Sequence, residues 1–299
     1  MVAVVVAVVA AINWRTNAYG VFGDSVGQSR PVIANERQTK YLFSFNYIPR
    51  NFDSLLVGSS IASNIDTSKI HGMRMYNAAL SGGNITEESL IAENALRLGH
   101  LRFLVACLNP YLVQTHGRKA GGMSPRDFWG ALGSTDLMSS YLGALAIRWG
   151  LAHQRFTAEG RQDMLDFEQP PADAEGGPKA ARAPGSFTRE MSEFPLDAIA
   201  MEQLAELAQL ARARGAAVVW VLAPVYSPTY QMRRLAYRKF EDRIRALAQP
   251  GELIIDFNDG SFAALTTQAN SFADGVHLSN GASLEVVRAL DQFLAVGSR

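Results

Sequence analysis

The sequence has few of the residues that build disulfides and metal centres. Its 299 residues include one cysteine, Cys107, so an internal disulfide and a Cys-x-x-C motif are both excluded. The five histidines are scattered along the chain and do not form a group with metal-ligand spacing. We therefore expect neither a bound metal nor another cofactor. Cys107 itself lies in an apolar run, where a free cysteine is more often a core residue than a nucleophile.

The sequence also lacks an excess of charge of either sign. Lys and Arg total 28 and Asp and Glu total 28, which gives a formal net charge of zero. Proteins whose main partner is nucleic acid carry a basic excess, so nucleic acid is not expected as a partner. Gly58-Ser59-Ser60, after the first predicted strand, matches neither G-x-G-x-x-G nor a P-loop. This disfavours a nucleotide-binding protein.

The apolar run at the N-terminus is shorter than the ~20 residues that a membrane-spanning helix needs. Residues 1–12 are almost wholly Val, Ala and Ile. Such a run is typical of the end of a membrane anchor, of a weak signal-peptide core, or of a buried strand. We favour an anchor over residues 1–16, because Trp14 and Arg15 follow the run as interface residues follow a spanning segment. This predicts that residues 17–299 form a domain outside the cytoplasm, in the periplasm or at the cell surface, anchored to the inner membrane.

Short apolar runs alternate with helical patterns in the rest of the chain, after a turn-rich stretch that we predict to be irregular, Asn17–Asn51. Five runs are predicted to be buried strands: Asp53–Ser60, Met75–Leu80, Phe103–Leu108, Ala216–Ala223 and Glu252–Phe257. Helices are predicted at Thr86–Leu98 (with Thr86 as N-cap), Asp197–Arg214, Arg233–Leu247 and Ala282–Val296. This alternation predicts an α/β fold, with a five-stranded parallel sheet doubly wound between two helical layers.

One predicted connection is far longer than the few residues that usually join elements of a compact domain. Residues 111–195 separate the third and fourth strands and are predicted to be an insertion in the domain. Within it, residues 125–150 are rich in Trp, Leu and Ala and are predicted to be helical. Residues 169–185 are rich in Pro, Ala and Gly, so we predict a mobile loop there.

Polar residues near the strand ends indicate a site for acyl chemistry, since parallel sheets bind ligands beyond the carboxyl ends of their strands. Ser60 ends the first strand at a turn that would expose its hydroxyl, although a helix-capping serine is the commoner case. Asp274 and His277 lie three residues apart, so the carboxylate can hold Nδ1 and leave Nε2 as a base. Gly82 and Asn109, with the Ser60 N–H, could form an oxyanion hole, although glycine turns and Asn-Pro turns are frequent.

Together these segments resemble the SGNH (GDSL-type) hydrolase superfamily. Four stretches are similar to its sequence blocks and occur in the same order: Gly58-Ser59-Ser60-Ile61, Asn77–Gly82, Cys107-Leu108-Asn109 and Asp274-Gly275-Val276-His277. The resemblance implies that Ser60 is the nucleophile, with His277 and Asp274 completing a catalytic triad. It also implies that Gly82 and Asn109 donate to the oxyanion.

The chain departs from the family pattern near two of these residues. Ser59 stands where the family usually has Asp, Cys107 stands where it usually has Gly, and Pro110 follows Asn109. Pro110 and Cys107 bear on the orientation of the Asn109 amide. After the fourth predicted strand, Pro224 and Tyr226 are candidates for lining the substrate site.

The activity that the resemblance implies is that of a serine esterase or acyltransferase acting on ester-linked acyl groups. The N-terminal apolar run and the first block also resemble a membrane-anchored branch of bacterial envelope proteins, which includes alginate O-acetylation and D-alanyl-transfer proteins. That closer resemblance implies an acylated carbohydrate as substrate, with O-acetyl groups of an envelope polysaccharide as the ester. It further implies polysaccharide-assembly proteins and the membrane as partners. The alternative is a non-catalytic carbohydrate-binding or assembly component on the same fold.

Overall fold

The computed structural model describes residues 2–30, 32, 35–116, 123, 126, 130–131, 136–163 and 192–297. The loop predicted at 169–185 and part of the helical region predicted at 125–150 lie outside the described residues. The described helices are α1 (Val2–Thr16), α2 (Glu36–Phe43), α3 (Tyr47–Asn51), α4 (Ile85–Leu98), α5 (Asp136–Arg148), α6 (Ala198–Ala213), α7 (Ser227–Met232), α8 (Arg234–Leu247), α9 (Ala263–Thr266) and α10 (Asn280–Gly297).

Five strands form one sheet in which every neighbouring pair is parallel. They are β1 (Ser54–Gly58), β2 (Met75–Asn77), β3 (Phe103–Leu108), β4 (Ala217–Leu222) and β5 (Leu253–Asp256). Each strand lies inside one of the predicted apolar runs, and the predicted fold class is confirmed. The runs are continuous rather than alternating because helices cover both faces of a parallel sheet, so successive side chains are all buried.

The strand order, β2-β1-β3-β4-β5, places a reversal of winding between β1 and β3. The chain proceeds from β1 to one edge of the sheet, returns to β3, and then winds to the other edge. In sheets of this kind the loops after the two strands at the reversal diverge and leave a crevice at their carboxyl ends. Ser60 follows β1 and Asn109 follows β3, so the topology places both residues beside this crevice.

The stretch Asn17–Asn51 contains α2 and α3, so the prediction that it is wholly irregular is wrong. Asn35 caps α2 by accepting a hydrogen bond from Gln38 N. The helix was missed because its buried residues do not follow an apolar pattern. Lys40 is fully buried beside apolar neighbours such as Leu42, and its ammonium pairs with Glu36, one turn earlier in the same helix, at 3.2 Å.

Helix α4 begins one residue before the predicted start, and Asn84 rather than Thr86 is its N-cap. Asn84 Oδ1 accepts from Glu87 N at 3.1 Å, and the Glu87 carboxylate accepts from Asn84 N at 3.2 Å. This reciprocal capping box satisfies backbone donors that the first helical turn leaves unpaired. It also fixes the point where the loop after β2 enters the helix.

The N-terminal run forms the helix α1, so the buried-strand interpretation of this segment is wrong. Most of its valines are exposed, with Val2 at 77% and Val5 at 57% of their maximum area. Near its end, Asn13 is buried and accepts a hydrogen bond from Tyr141 Oη at 2.8 Å, which ties α1 to α5. Among the helices of the described residues, none has both the length and the apolar character needed to cross a membrane.

Gly58, the last residue of β1, is the position where the sheet tolerates no side chain. A Cβ at this position would lie 2.8 Å from the Cys107 carbonyl oxygen and 2.9 Å from Ala62 Cβ. We therefore predict that Gly58→Ala lowers the free energy of unfolding by about 1–3 kcal/mol through overpacking. Urea denaturation measures this change. Gly281→Ala is the control, because a Cβ at Gly281 meets nothing within 4 Å, and equal stabilities for the two variants would contradict the prediction.

Candidate active site

Three side chains from distant parts of the chain form a row at the carboxyl end of β1. Ser60 Oγ lies 2.8 Å from His277 Nε2, although the two residues are 217 positions apart. On the other side of the ring, His277 Nδ1 lies 2.7 Å from Asp274 Oδ2. The structure therefore brings together the three residues that the sequence analysis singled out as a triad, in the order hydroxyl, imidazole, carboxylate.

The turn after β1 presents the Ser60 hydroxyl to this row. Ser60 is not a helix cap, because the residues that follow it form a turn, in which Ala62 N donates to Ser59 O at 2.9 Å. The Ser60 carbonyl accepts from the Ser63 hydroxyl at 2.8 Å. Asn64 Nδ2 then donates to the Leu278 carbonyl at 2.9 Å, which ties this turn to the residue directly after His277.

The turn that carries Asp274 and His277 is held by its own backbone. Asp274 Oδ1 accepts from His277 N at 2.8 Å and from Val276 N at 3.2 Å. Gly275 adopts φ +90°, a conformation that side-chain-bearing residues rarely take. The carboxylate is therefore oriented before it meets the imidazole, and its second oxygen faces Nδ1.

The electrostatics of this pair determine which ring nitrogen carries a proton. Burial alone would raise the pKa of the Asp274 carboxyl, but hydrogen bonds and the charge of His277 outweigh it and lower that pKa below the ordinary 3.8. The group is therefore an ionised acceptor at neutral pH. Because it accepts from Nδ1–H, the neutral imidazole presents Nε2 as an acceptor for the Ser60 hydroxyl.

The two residues predicted to line the substrate site differ in exposure. Pro224 is buried, whereas Tyr226 is half-buried. Tyr226 N donates to the Gly275 carbonyl at 3.0 Å, and its ring packs against Phe272 with the ring centroids 5.8 Å apart. Tyr226 thus attaches the turn of His277 to the end of β4, and its role in lining a substrate stays a prediction.

Asn109 faces the same turn from β3. Gly58 is paired with Cys107 across the β1–β3 ladder, so the residues after each strand lie side by side. The side-chain oxygen of Asn109, Oδ1, accepts from Tyr111 N at 2.9 Å and from Leu112 N at 3.3 Å, which leaves the side-chain nitrogen Nδ2 to donate to Ser59 Oγ. Pro110, at the first position of a short 3-10 helix, has no N–H to satisfy there, so it is compatible with this pose.

Gly82 lies in the turn that follows β2, next to β1. Leu80 pairs with Ser59 in a parallel bridge, and Gly83 N closes the turn onto the Leu80 carbonyl at 3.0 Å. Gly82 is exposed and has φ +61°. Among the described residues none accepts a hydrogen bond from Gly82 N–H. A backbone donor is therefore presented at the edge of the sheet that also carries Ser60.

The sequence analysis missed the charged side chains that hold this turn from behind. Glu36 accepts from Ser81 N at 3.2 Å, and Arg37 donates to the Ser81 carbonyl at 2.7 Å. Lys40 donates to the Ala79 carbonyl at 2.7 Å. All three come from α2, where the run E-R-Q-T-K was a possible sign of a charged helical face but did not indicate its partner.

Glu88 supports the same turn from α4. It is fully buried, and its Oε1 accepts from Leu80 N at 3.0 Å. Burial raises the pKa of the Glu88 carboxyl well above its ordinary value, since desolvation outweighs the nearby Lys40 charge. The backbone that leads into Ser81 is thus bound by two buried side chains, Lys40 at the Ala79 carbonyl and Glu88 at Leu80 N.

Comparison with known proteins leaves the site to be interpreted from its own geometry. No family model matches the chain, and no curated protein matches it. Among solved structures, a proposed acylhydrolase from Bacteroides fragilis is 10% identical, with 82% of this chain and 88% of that chain covered and a TM-score of 0.43. A proposed platelet activating factor from Streptococcus pneumonia is 14% identical, with coverage of 87% and 91% and a TM-score of 0.45. Similarities this low carry no argument about chemistry.

The charge of Asp274 predicts a pH-dependent contribution to stability. Because the folded-state pKa lies below the ordinary 3.8, the stabilisation is present above that value and is lost as the pH falls through the folded-state pKa. The free energy of unfolding of Asp274→Asn is expected to be lower than that of wild type at pH 7. The difference between the two free energies is expected to shrink as the pH falls below 3.8. Urea denaturation across this range measures it.

The control for this experiment is Asp242→Asn, since the Asp242 side chain is 78% exposed. This variant is expected to stay close to wild type at every pH. A difference between wild type and Asp274→Asn that does not change with pH would contradict the proposed linkage.

Proposed function

We propose that this chain is a serine esterase or O-acyltransferase that cleaves ester-linked acyl groups. The observation that supports this most is the row formed by Ser60, His277 and Asp274, with contacts of 2.8 Å and 2.7 Å. Two oriented hydrogen bonds in series are what a base-activated nucleophile requires. The crevice at the reversal of the sheet provides the place where a substrate can meet the hydroxyl.

In the proposed reaction, Ser60 Oγ attacks the ester carbonyl carbon while its proton moves to His277 Nε2. Asp274 stabilises the resulting imidazolium. The carbonyl oxygen gains negative charge and accepts from the N–H groups of Gly82 and Ser60 and from the Asn109 amide. The bond to the leaving alcohol then breaks, the alcohol takes the proton from His277, and an acyl-enzyme remains.

The acyl-enzyme is resolved by an acceptor that carries a hydroxyl. Water gives hydrolysis, whereas a sugar hydroxyl gives transfer of the acyl group. In either case His277 takes the proton of the acceptor as it attacks the acyl carbon, and returns a proton to Ser60. The sequence resemblance to envelope proteins extends this proposal to O-acetyl groups of a polysaccharide, and to polysaccharide-assembly proteins as partners.

We also propose that the domain lies outside the cytoplasm and that α1 attaches it to the membrane by contact with lipid. What supports this is that α1 exposes apolar side chains on more than one face, including Val4, Val5 and Val6. A helix that is apolar all round is stable where its surroundings are apolar. Trp14 and Arg15 at its end are residue types that favour the membrane interface.

Removal of the Ser60 hydroxyl tests the enzymatic proposal. Ser60→Ala is expected to lower kcat for p-nitrophenyl acetate by at least about 10³-fold, because loss of a triad nucleophile removes the covalent route. Turnover is followed by the release of p-nitrophenol. Ser68→Ala, at an exposed serine, is the control and is expected to keep wild-type activity. A wild type as inert as Ser60→Ala would favour the non-catalytic carbohydrate-binding or assembly component instead.

Aspartate substitutions that introduce charge into the apolar part of α1 test the proposed contact with lipid. We expect the full chain to cosediment with phosphatidylcholine vesicles, and Val5→Asp combined with Val8→Asp to lower the bound-to-free ratio about tenfold or more. The reason is that each fully buried valine contributes about 1.5–3 kcal/mol. Leu98→Asp is the control, since Leu98 is an equally exposed apolar residue on α4. Equal binding by the α1 variant and this control would contradict the proposal.

A further inference from the structure

We infer that Arg37 is a positioning residue for the reaction, because it orients the Gly82 N–H through the peptide group that Gly82 shares with Ser81. This inference rests on the proposed function. Arg37 Nη2 donates to the Ser81 carbonyl at 2.7 Å. The carbonyl of Ser81 and the N–H of Gly82 belong to the same planar trans peptide, so they point in opposite directions.

The geometry of that peptide explains how a side chain outside the row can act on the oxyanion. When Arg37 holds the Ser81 carbonyl on one side, the Gly82 N–H is directed to the other side. Rotation of the peptide, to which a glycine at φ +61° offers little steric resistance, would break the hydrogen bond to Arg37. Arg37 therefore restricts the rotation of the Ser81–Gly82 peptide that a glycine turn would otherwise allow.

The preceding peptide, between Leu80 and Ser81, is also held by a side chain of α2. Glu36, the residue before Arg37 on α2, accepts from Ser81 N at 3.2 Å. Both polar groups of the Ser81 backbone are therefore bound by adjacent residues of one helix. Leu80 N donates to Glu88 as well as to the Gly58 carbonyl, so two consecutive backbone N–H groups before Gly82 are bound by side-chain carboxyl groups.

Arg37 is itself held rigidly enough to act as a support. Its Nε donates to Glu87 Oε1 at 2.9 Å, and the Glu87 side chain is only 1% exposed. Glu87 is in turn fixed by the capping box with Asn84 at the start of α4. The guanidinium thus joins α2, the turn after β2 and the first turn of α4.

The hydrogen bond from Arg37 also polarises the Ser81–Gly82 peptide, while the net charge of Arg37 is balanced by Glu87. A cation at the carbonyl end of a peptide polarises the group and strengthens the N–H dipole at the opposite end. Dipoles that are fixed before the reaction stabilise developing negative charge without a cost of reorganisation. A guanidinium behind the Ser81–Gly82 peptide therefore favours an oxyanion in front of it.

Two variants test this role in the full chain with p-nitrophenyl acetate. Arg37→Met is expected to lower kcat by about tenfold to a hundredfold, less than the ~10²–10³-fold cost of deleting an oxyanion donor, because Gly82 N–H is still present. KM is expected to stay near its wild-type value, because the hydrogen bond from Gly82 N–H to the oxyanion is made only in the transition state. Arg37→Lys, which keeps the charge but loses the planar fork, is expected to recover part of kcat.

A boronic acid inhibitor supplies a readout that a purely structural role would not move. Its tetrahedral adduct with Ser60 places an oxygen in the oxyanion hole, so its affinity is expected to fall by the same factor as kcat/KM. The matched control is Arg97→Met, which removes an arginine from an exposed ion pair with Glu93 on α4 and is expected to change neither quantity. Circular dichroism establishes whether each variant is folded. If Arg37→Met does not fold, the kcat and boronate affinity of Arg37→Lys decide the result.

The outcomes separate this inference from the proposed function. Unchanged kcat in a folded Arg37 variant, or a rise in KM alone, would overturn the inference while Ser60-dependent turnover by the wild type still supports an esterase. A kcat loss without a parallel loss of boronate affinity would also overturn it. A wild type without Ser60-dependent turnover would reject the proposed function, and this inference with it.

Discussion

The hydrogen bond between Ser60 Oγ and His277 Nε2 is the contact on which the proposed chemistry depends, and it joins residues 217 positions apart. Its 2.8 Å length requires that the turn after β1 and the turn after Phe272 be held against each other. The bond from Asn64 to the Leu278 carbonyl and the bond from Tyr226 to the Gly275 carbonyl meet that requirement. The sheet therefore positions the site, while hydrogen bonds between its loops set the distance from Ser60 Oγ to His277 Nε2.

A second constraint concerns the oxyanion, since a nucleophile and a base alone do not stabilise negative charge on the substrate. The candidate donors lie on the loops of three adjacent strands, β2, β1 and β3. Ser60 and Asn109 are oriented by short turns with their own local hydrogen bonds. Gly82 is different, because its turn is bound by charged side chains from α2 and α4. The precision of the site then depends on helices that contribute no reacting group.

The parts of the structure that sequence reasoning predicted are those with a local pattern. Runs such as Phe103–Leu108 are apolar throughout because both faces of the sheet are covered, and Asp274 and His277 lie within one turn. The supports of the Gly82 turn have no such pattern. Arg37 and Ser81 are 44 positions apart. Lys40 is a charged residue at a fully buried position, so burial at this helix does not follow hydropathy.

The proposed chemistry requires that Ser60 be a nucleophile activated by His277. The most direct measurement is mass spectrometry of the full chain after reaction with a serine-directed fluorophosphonate, with peptide mapping of the adduct. We expect one adduct, on Ser60, that forms in wild type and is lost or strongly slowed in His277→Ala. An unmodified Ser60 in wild type, or labelling that proceeds equally fast in His277→Ala, would contradict it.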